Sequence, residues 1–158
     1  MAFAGQIHAS CVARRGAGVL LLGPSGAGKS DLALRLIEHG FVLVADDRVE
    51  IAGGIARPAP ALAGLIEIRG IGIARLPYLP QVPLALAVTL ATAPERLPAP
   101  RREPRLDLPL IALETGFAAS AVTRIGLALE AAQGRIAFAA GGVIDRGDSD
   151  PLAREDAA

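Results

Sequence analysis

The sequence predicts an α/β domain, and three stretches carry that reading. An apolar run, Gly18-Val-Leu-Leu-Leu22, feeds into a glycine-rich segment. A helix-periodic segment, Asp31 to His39, follows it. A second apolar, β-branched run, Phe41-Val-Leu-Val-Ala45, comes next. Strand, loop, helix and strand over this length are the parts of a βαβ unit, which favours a parallel pair of strands.

The segment between the first strand and the helix is Gly23-Pro24-Ser25-Gly26-Ala27-Gly28-Lys29-Ser30, a G-x-x-x-x-G-K-S phosphate-binding loop. Its glycines let backbone amides turn towards phosphate oxygens without Cβ clashes. The helix that follows adds free N–H groups and partial positive charge. Lys29 can reach the β- and γ-phosphates of a nucleotide, and the Ser30 hydroxyl suits Mg²⁺. Lys29 is the only lysine among 16 basic residues, so its place in this loop singles it out in an otherwise arginine-based chain.

Leu32, Leu36 and Ile37 fall on one face of the helix, and Gly40 supplies its stop. The second strand ends in Asp46-Asp47. Ligands of parallel sheets bind beyond the carboxyl ends of strands, which brings both carboxylates beside the phosphate loop. One of the two can hold a Mg²⁺ shell and the other can accept a proton from an attacking hydroxyl.

Downstream, residues 52–60 read as a hairpin or loop rich in glycine and proline. Leu65 to Ile73 reads as a strand with Glu67 and Arg69 on one face and with Gly70 and Gly72 allowing close backbone approach. Pro83 to Thr92 is a further β-type run, and residues 93–105 form a proline-punctuated, arginine-rich loop. Leu108 to Glu114 is a short strand, and Ala118 to Gln133 a helix ended by Gly134. His8 lies in an early strand, and His39 at a helix end, where an imidazolium meets the dipole. No internal repeat and no zinc or triad spacing occurs.

The chain has 158 residues, enough for one domain, expected over residues 1–141 with a frayed tail over 142–158. Zero formal net charge argues against a protein built to grip nucleic acid or anionic lipid. A single cysteine, Cys11, excludes an internal disulfide framework. No apolar stretch reaches membrane-spanning length and no signal peptide is recognisable, so the expected location is the cytoplasm.

Taken together, His8, the loop Gly23–Ser30, the acidic Asp31, the run Gly40 to Asp47 and above all Glu67-Ile-Arg-Gly-Ile-Gly-Ile73 resemble the catalytic, C-terminal domain of bacterial HPr kinase/phosphorylase. The resemblance covers residues 6 to 75 closely and is weak beyond, where Glu95-Arg96-Leu97 resembles a further short element of the family. It implies the P-loop fold shared with phosphoenolpyruvate carboxykinases, a mixed β-sheet with flanking helices. It also implies a short form without the family's N-terminal domain. The implied activity is ATP-dependent phosphorylation of a serine of HPr, or an HPr-like phosphocarrier, in the sugar phosphotransferase system. Many members also run the reverse phosphorolysis. Cofactors are ATP and Mg²⁺, and the implied assembly is a homo-oligomer, usually a hexamer. By the resemblance Asp46 is the general base, with His8 near it; Ser30 and Asp47 hold Mg²⁺, with Asp31 and Glu67 completing the acidic side; Arg69 and Arg96 face phosphate or substrate. Asp31 stands where the family usually has glutamate, and the region after Arg75 does not clearly carry the family's glycine-arginine loop.

Two other readings compete. One is another small P-loop phosphotransferase acting on a metabolite, against which the Glu67–Ile73 signature argues; such kinases also usually need a lid domain. The other is an ATP-binding sensor without catalysis, against which the set His8, Lys29, Ser30, Asp46 and Asp47 argues.

Overall fold

A computed structural model describes residues 2–145. The expected tail therefore lies, from residue 146 onward, outside the described residues. The elements in chain order are β1 (Ala4–His8), β2 (Ser10–Arg14), β3 (Ala17–Leu22), α1 (Lys29–Glu38), β4 (Val42–Ala45), β5 (Arg48–Ala52), β6 (Ile55–Pro58), β7 (Leu65–Ile68), β8 (Gly72–Arg75), β9 (Val82–Leu90), β10 (Arg101–Glu103), β11 (Leu108–Leu113) and α2 (Ala121–Ala132).

Nine strands form one mixed sheet, in the order β1-β5-β6-β9-β3-β2-β4, with β11 on β9 and β10 on β11. The expected parallel pairing of the two first apolar runs does not occur. β2 lies between β3 and β4 and is antiparallel to both. β3 and β4 nevertheless run the same way, and β9 and β11 join that direction through parallel pairing. Four strands, β4, β3, β9 and β11, thus present their carboxyl ends at one edge. The sequence pattern specified direction but not the strand inserted between, because β2 precedes the motif and joins β3 by a tight turn at Arg15-Gly16.

Alternation along the strands divides the interior. Val12, Val19, Leu21, Leu43, Leu86 and Val88 face α1 and α2, meeting Leu32, Leu36, Ile125 and Leu129. Cys11, Ala13, Leu20 and Val44 face the other way and are covered by Ile7, Val49, Ile51 and Ala56 of the β1-β5-β6 meander. Both faces of β3 are therefore buried, which is why its sequence is a continuous apolar run. α1 begins two residues earlier than the periodicity suggested, since Lys29 and Ser30 form its first turn, and it ends before Gly40 (φ 92°). α2 begins at Ala121, not at Ala118; the Ala118 carbonyl accepts from Ala121 N–H (3.1 Å) and from the Arg35 guanidinium (3.1 Å) just ahead of it.

Two further expectations are corrected. The run Leu65–Ile73 is not one strand: it folds into the β7–β8 hairpin, separate from the main sheet, with a turn closed by Ile71 N–H donating to Ile68 (3.0 Å). The arginine-rich loop over 93–105 contains β10, which pairs with β11. The hairpin expected near residues 52–60 is β5–β6, turning at Gly53 and Gly54, both at positive φ, as a type I′ turn requires.

Candidate active site

The carboxyl edge of β4, β3 and β9 carries the phosphate loop and a cavity of about 270 Å³. His8, Ser25, Gly26, Gly28, Lys29, Ser30, Asp31, Asp47, Glu67, Arg69 and Phe117 line it. Gly28, at φ 96°, is the residue before the first turn of α1, and no side chain caps that helix start. Its first amides are left for an anion. At Gly26 (φ 85°) a Cβ would stand in open space, so the loop crest is bare backbone facing the cavity. Lys29 is buried and folds back, its Nζ donating to the carbonyls of Gly23 (2.7 Å) and Pro24 (3.0 Å). Burial lowers its pKa from the ordinary lysine value, against the raising effect of Asp46 and then Asp47. Ala27 turns away from the cavity and is buried.

The two aspartates separate by environment. Asp46 is buried and accepts hydrogen bonds from Ser10 Oγ (2.6 Å) and Ser30 Oγ (2.9 Å). Asp47 is at φ 69°, which swings its side chain away from that of its neighbour; it is half-exposed and meets His8 Nδ1 at 3.1 Å. The resemblance had grouped Ser30 with Asp47 and His8 with Asp46. The structure reverses both pairings. The reason is the left-handed turn at Asp47, closed by Arg48 N–H donating to the Asp46 carbonyl (2.8 Å), which a dipeptide read from sequence does not reveal.

Glu67 and Arg69 are exposed and face the cavity from the hairpin β7–β8. Arg96, in the segment after β9, is exposed and does not line it. Among the described residues no group of three or more His, Cys, Asp or Glu side chains converges on a metal position, so the expected set Asp31, Asp47 and Glu67 is not gathered around Ser30. The donor chemistry still fits Mg²⁺: Ser30 and Asp46 offer adjacent hard oxygens, and Mg²⁺ commonly takes only one or two protein ligands beside phosphates and water.

Sequence reasoning missed three contributors. Ser10 holds Asp46; Arg35 ties α1 to the segment after β11; Phe117 stands beside the phosphate loop. Ser10 had a signal, its position two residues after His8. The other two depend on contacts some 80 residues apart in sequence.

A bare glycine loop at a helix start, a lysine at its end and a serine-bound aspartate just past β4, which runs the same way as β3, are the features of a P-loop domain. Comparison with known proteins makes this specific. Residues 1–78 match the family model described as HPr Serine kinase C-terminal domain. An HPr kinase/phosphorylase of Caldicellulosiruptor bescii is 51% identical over 71 residues, 42% of this chain and 23% of the relative. One of Clostridium tetani is 44% identical over 78 residues, 47% of this chain and 26% of the relative. The chain thus spans about a quarter of the length of these curated relatives. The structure of the HPr(Ser) kinase/phosphatase from Coxiella burnetii superimposes with a TM-score of 0.65 at 24% identity, covering 82% of this chain and 95% of that one, which shows a shared fold beyond residue 78. Among the described residues no helix is long and apolar enough to cross a membrane.

Proposed function

We propose that this chain is an ATP- and Mg²⁺-dependent protein-serine kinase whose substrate is HPr or an HPr-like phosphocarrier. The single observation that carries this reading is the open Asp47–His8 pair on the wall of the phosphate-loop cavity, where Asp47 is accessible to act as a base.

The γ-phosphoryl group rests on the bare amides from Gly26 to Ser30, and Lys29 leaves the Gly23 and Pro24 carbonyls to meet it. Ser30 and Asp46 would hold Mg²⁺, which would supply charge neutralisation at the phosphates. Asp47 takes the proton of the seryl hydroxyl as that oxygen bonds to phosphorus; the bond from phosphorus to the β–γ bridging oxygen breaks, and ADP leaves with the electron pair. His8 orients Asp47 through the 3.1 Å contact. This assignment exchanges the roles that the resemblance gave the two aspartates. It follows from access, since a base must reach the hydroxyl and Asp46 is enclosed by two serines. In phosphorolysis an oxygen of inorganic phosphate bonds to the seryl-bound phosphorus, the bond from phosphorus to the seryl oxygen breaks, the protonated Asp47 carboxyl gives that oxygen its proton, and pyrophosphate leaves. Arg69, on the cavity wall, faces the phosphorylated group. Glu67 and Asp31, also on the cavity wall, would add negative charge that favours a cation there. Arg96 is left without a catalytic role. A cytoplasmic location and a homo-oligomer, hexameric by resemblance, go with this reading. The exposed Ile71 (85%) and Ile73 (72%) on the hairpin beside the site are apolar surface for the carrier or a neighbouring subunit to cover.

The test is the intact mass of HPr after incubation with the chain, ATP and Mg²⁺. A gain of one phosphoryl group supports the kinase, and its loss on adding inorganic phosphate supports the reverse reaction. No gain while ATP still binds would move the reading to another carrier or to a nucleotide sensor.

A further inference from the structure

We propose that Phe117 is the nucleobase platform of this site, its phenyl face stacking on the base of the bound nucleoside triphosphate. The inference rests on the nucleotide reading above and adds the group that holds the other end of the ligand.

Strands β3, β9 and β11 lie side by side and parallel, so the segment after β11 returns to the same edge as the phosphate loop. It is fastened there. Gly116 N–H donates to the Ala27 carbonyl (2.9 Å), and Thr115 Oγ1 donates to the same carbonyl (3.4 Å). The Arg35 guanidinium, from α1, donates to the carbonyls of Gly116 (2.8 Å) and Ala118 (3.1 Å). Phe117 N–H is itself bonded to Thr115 Oγ1 (3.2 Å). The approach is close enough to require glycine: a Cβ on Gly116 would stand 2.5 Å from the Gly28 carbonyl oxygen. A segment held by four bonds to the phosphate loop and α1, and by one within itself, then presents one large apolar side chain that is not in the core. Phe117 is 54% exposed, lines the cavity with Gly26, Gly28 and Lys29, and its ring lies 3.2 Å from where a Cβ on Gly28 would be.

A triphosphate seated on the loop at the end of β3 must extend its sugar and base along this edge. An exposed aromatic ring on a fixed backbone is the kind of surface that bases stack on, at little cost in ordering. Phe117 has no hydrogen-bonding group, so it contributes through the π-face alone.

The experiment measures the affinity of the full chain for MgATP and for Mg-tripolyphosphate, which carries the phosphates without a base. Phe117→Ala and Phe117→Leu should weaken ATP about 5- to 150-fold, the range that loss of one stacked base gives, and leave tripolyphosphate unchanged. The chain contains no tryptophan, so Phe117→Trp adds a lone indole whose fluorescence ATP should quench and tripolyphosphate should not. Equal weakening of both ligands would overturn the proposal, assigning Phe117 to loop structure. Unchanged ATP affinity in both truncations, or no quenching by ATP, would overturn it too. Wild-type protein that binds neither ligand would sink the phosphate-loop reading itself, and this inference with it.

Discussion

Ser30 Oγ points between the two carboxylate oxygens of Asp46, at 2.9 and 3.1 Å, and so ties the first turn of α1 to the end of β4. These residues are 16 apart in sequence, and the bond between them joins the loop that would hold phosphate to the carboxylate that would hold the metal shell. Ser30→Ala removes one of the two hydroxyls that Asp46 accepts and leaves Ser10. The ligand-free domain should lose about 1 kcal/mol in urea denaturation. ATP affinity measured with Mg²⁺ should fall well below wild type, while affinity measured with EDTA should change little. An equal loss with and without Mg²⁺ would argue against a metal role for this pair.

Lys29 should leave a signature in the pH dependence of stability. Burial holds its pKa below the ordinary 10.5, with Asp46 and Asp47 opposing that shift. Between the lowered folded value and 10.5 the unfolded chain binds more protons than the folded one, so stability rises with pH there. Below that window both states are protonated and the cost of the buried charge is present in full. Denaturation curves of wild type and Lys29→Met, taken from pH 7 to 10, should converge as the pH rises, with the variant losing nucleotide binding throughout. Parallel curves would show that Lys29 is not desolvated.

Gly116→Ala tests the seam between the phosphate loop and the segment after β11. The added Cβ would meet Gly28 oxygen at 2.5 Å and Gly28 carbon at 2.8 Å, both backbone atoms that cannot rotate away. Overpacking of this kind costs about 1–3 kcal/mol. Chemical denaturation should show that loss, with a matching fall in ATP affinity because the displaced residue belongs to the loop.

Glu103 organises the arginine-rich segment. It is buried, and its carboxylate accepts from the N–H groups of Arg105 and Leu106, each at 2.8 Å, and from Arg105 Nε at 2.9 Å. Burial pushes its pKa up, but those bonds together hold it below the ordinary 4.5. A carboxyl with a lowered folded pKa contributes stability that is present above 4.5 and is lost as the pH falls through the folded value. Glu103→Gln should cost about 1–3 kcal/mol at pH 7 and flatten the acid limb of the stability profile below pH 4.5. A variant as acid-sensitive as wild type would assign that limb to other carboxylates.

The local chemistry was readable because it depends on contiguous residues. Gly23 to Ser30 forms a glycine loop between a strand and a helix, and the apolar run Gly18–Leu22 and the periodicity of Leu32 and Leu36 signal both flanks. The environments of Asp46 and Asp47 were not readable, because a positive φ at one residue decides which carboxylate meets Ser30 and which meets His8. The hairpin over Leu65–Arg75 was hidden in a run that reads as strand throughout; its one sign was at Gly70, where the apolar residues shift from the parity of Ile66 and Ile68 to that of Ile71 and Ile73. Arg35 reads as an ordinary solvated helix position. Its two bonds to the segment after β11 exist because α1 and that segment meet over the sheet edge, 81 and 83 residues apart.

The account depends most on Asp47 being the base and Asp46 the metal-side carboxylate. Single-turnover phosphoryl transfer from ATP to HPr, with ATP affinity measured in parallel, separates the two. Asn accepts the left-handed conformation that Asp47 adopts (φ 69°), so Asp47→Asn removes charge without backbone strain. It should lower the transfer rate about 10²- to 10⁴-fold with MgATP affinity unchanged. Asp46→Asn should instead lose Mg²⁺-dependent ATP affinity, and its rate should recover in part at high Mg²⁺. Full transfer by the Asp47 variant, alongside an Asp46 variant that binds MgATP normally but does not transfer, would contradict the account and return the base to Asp46.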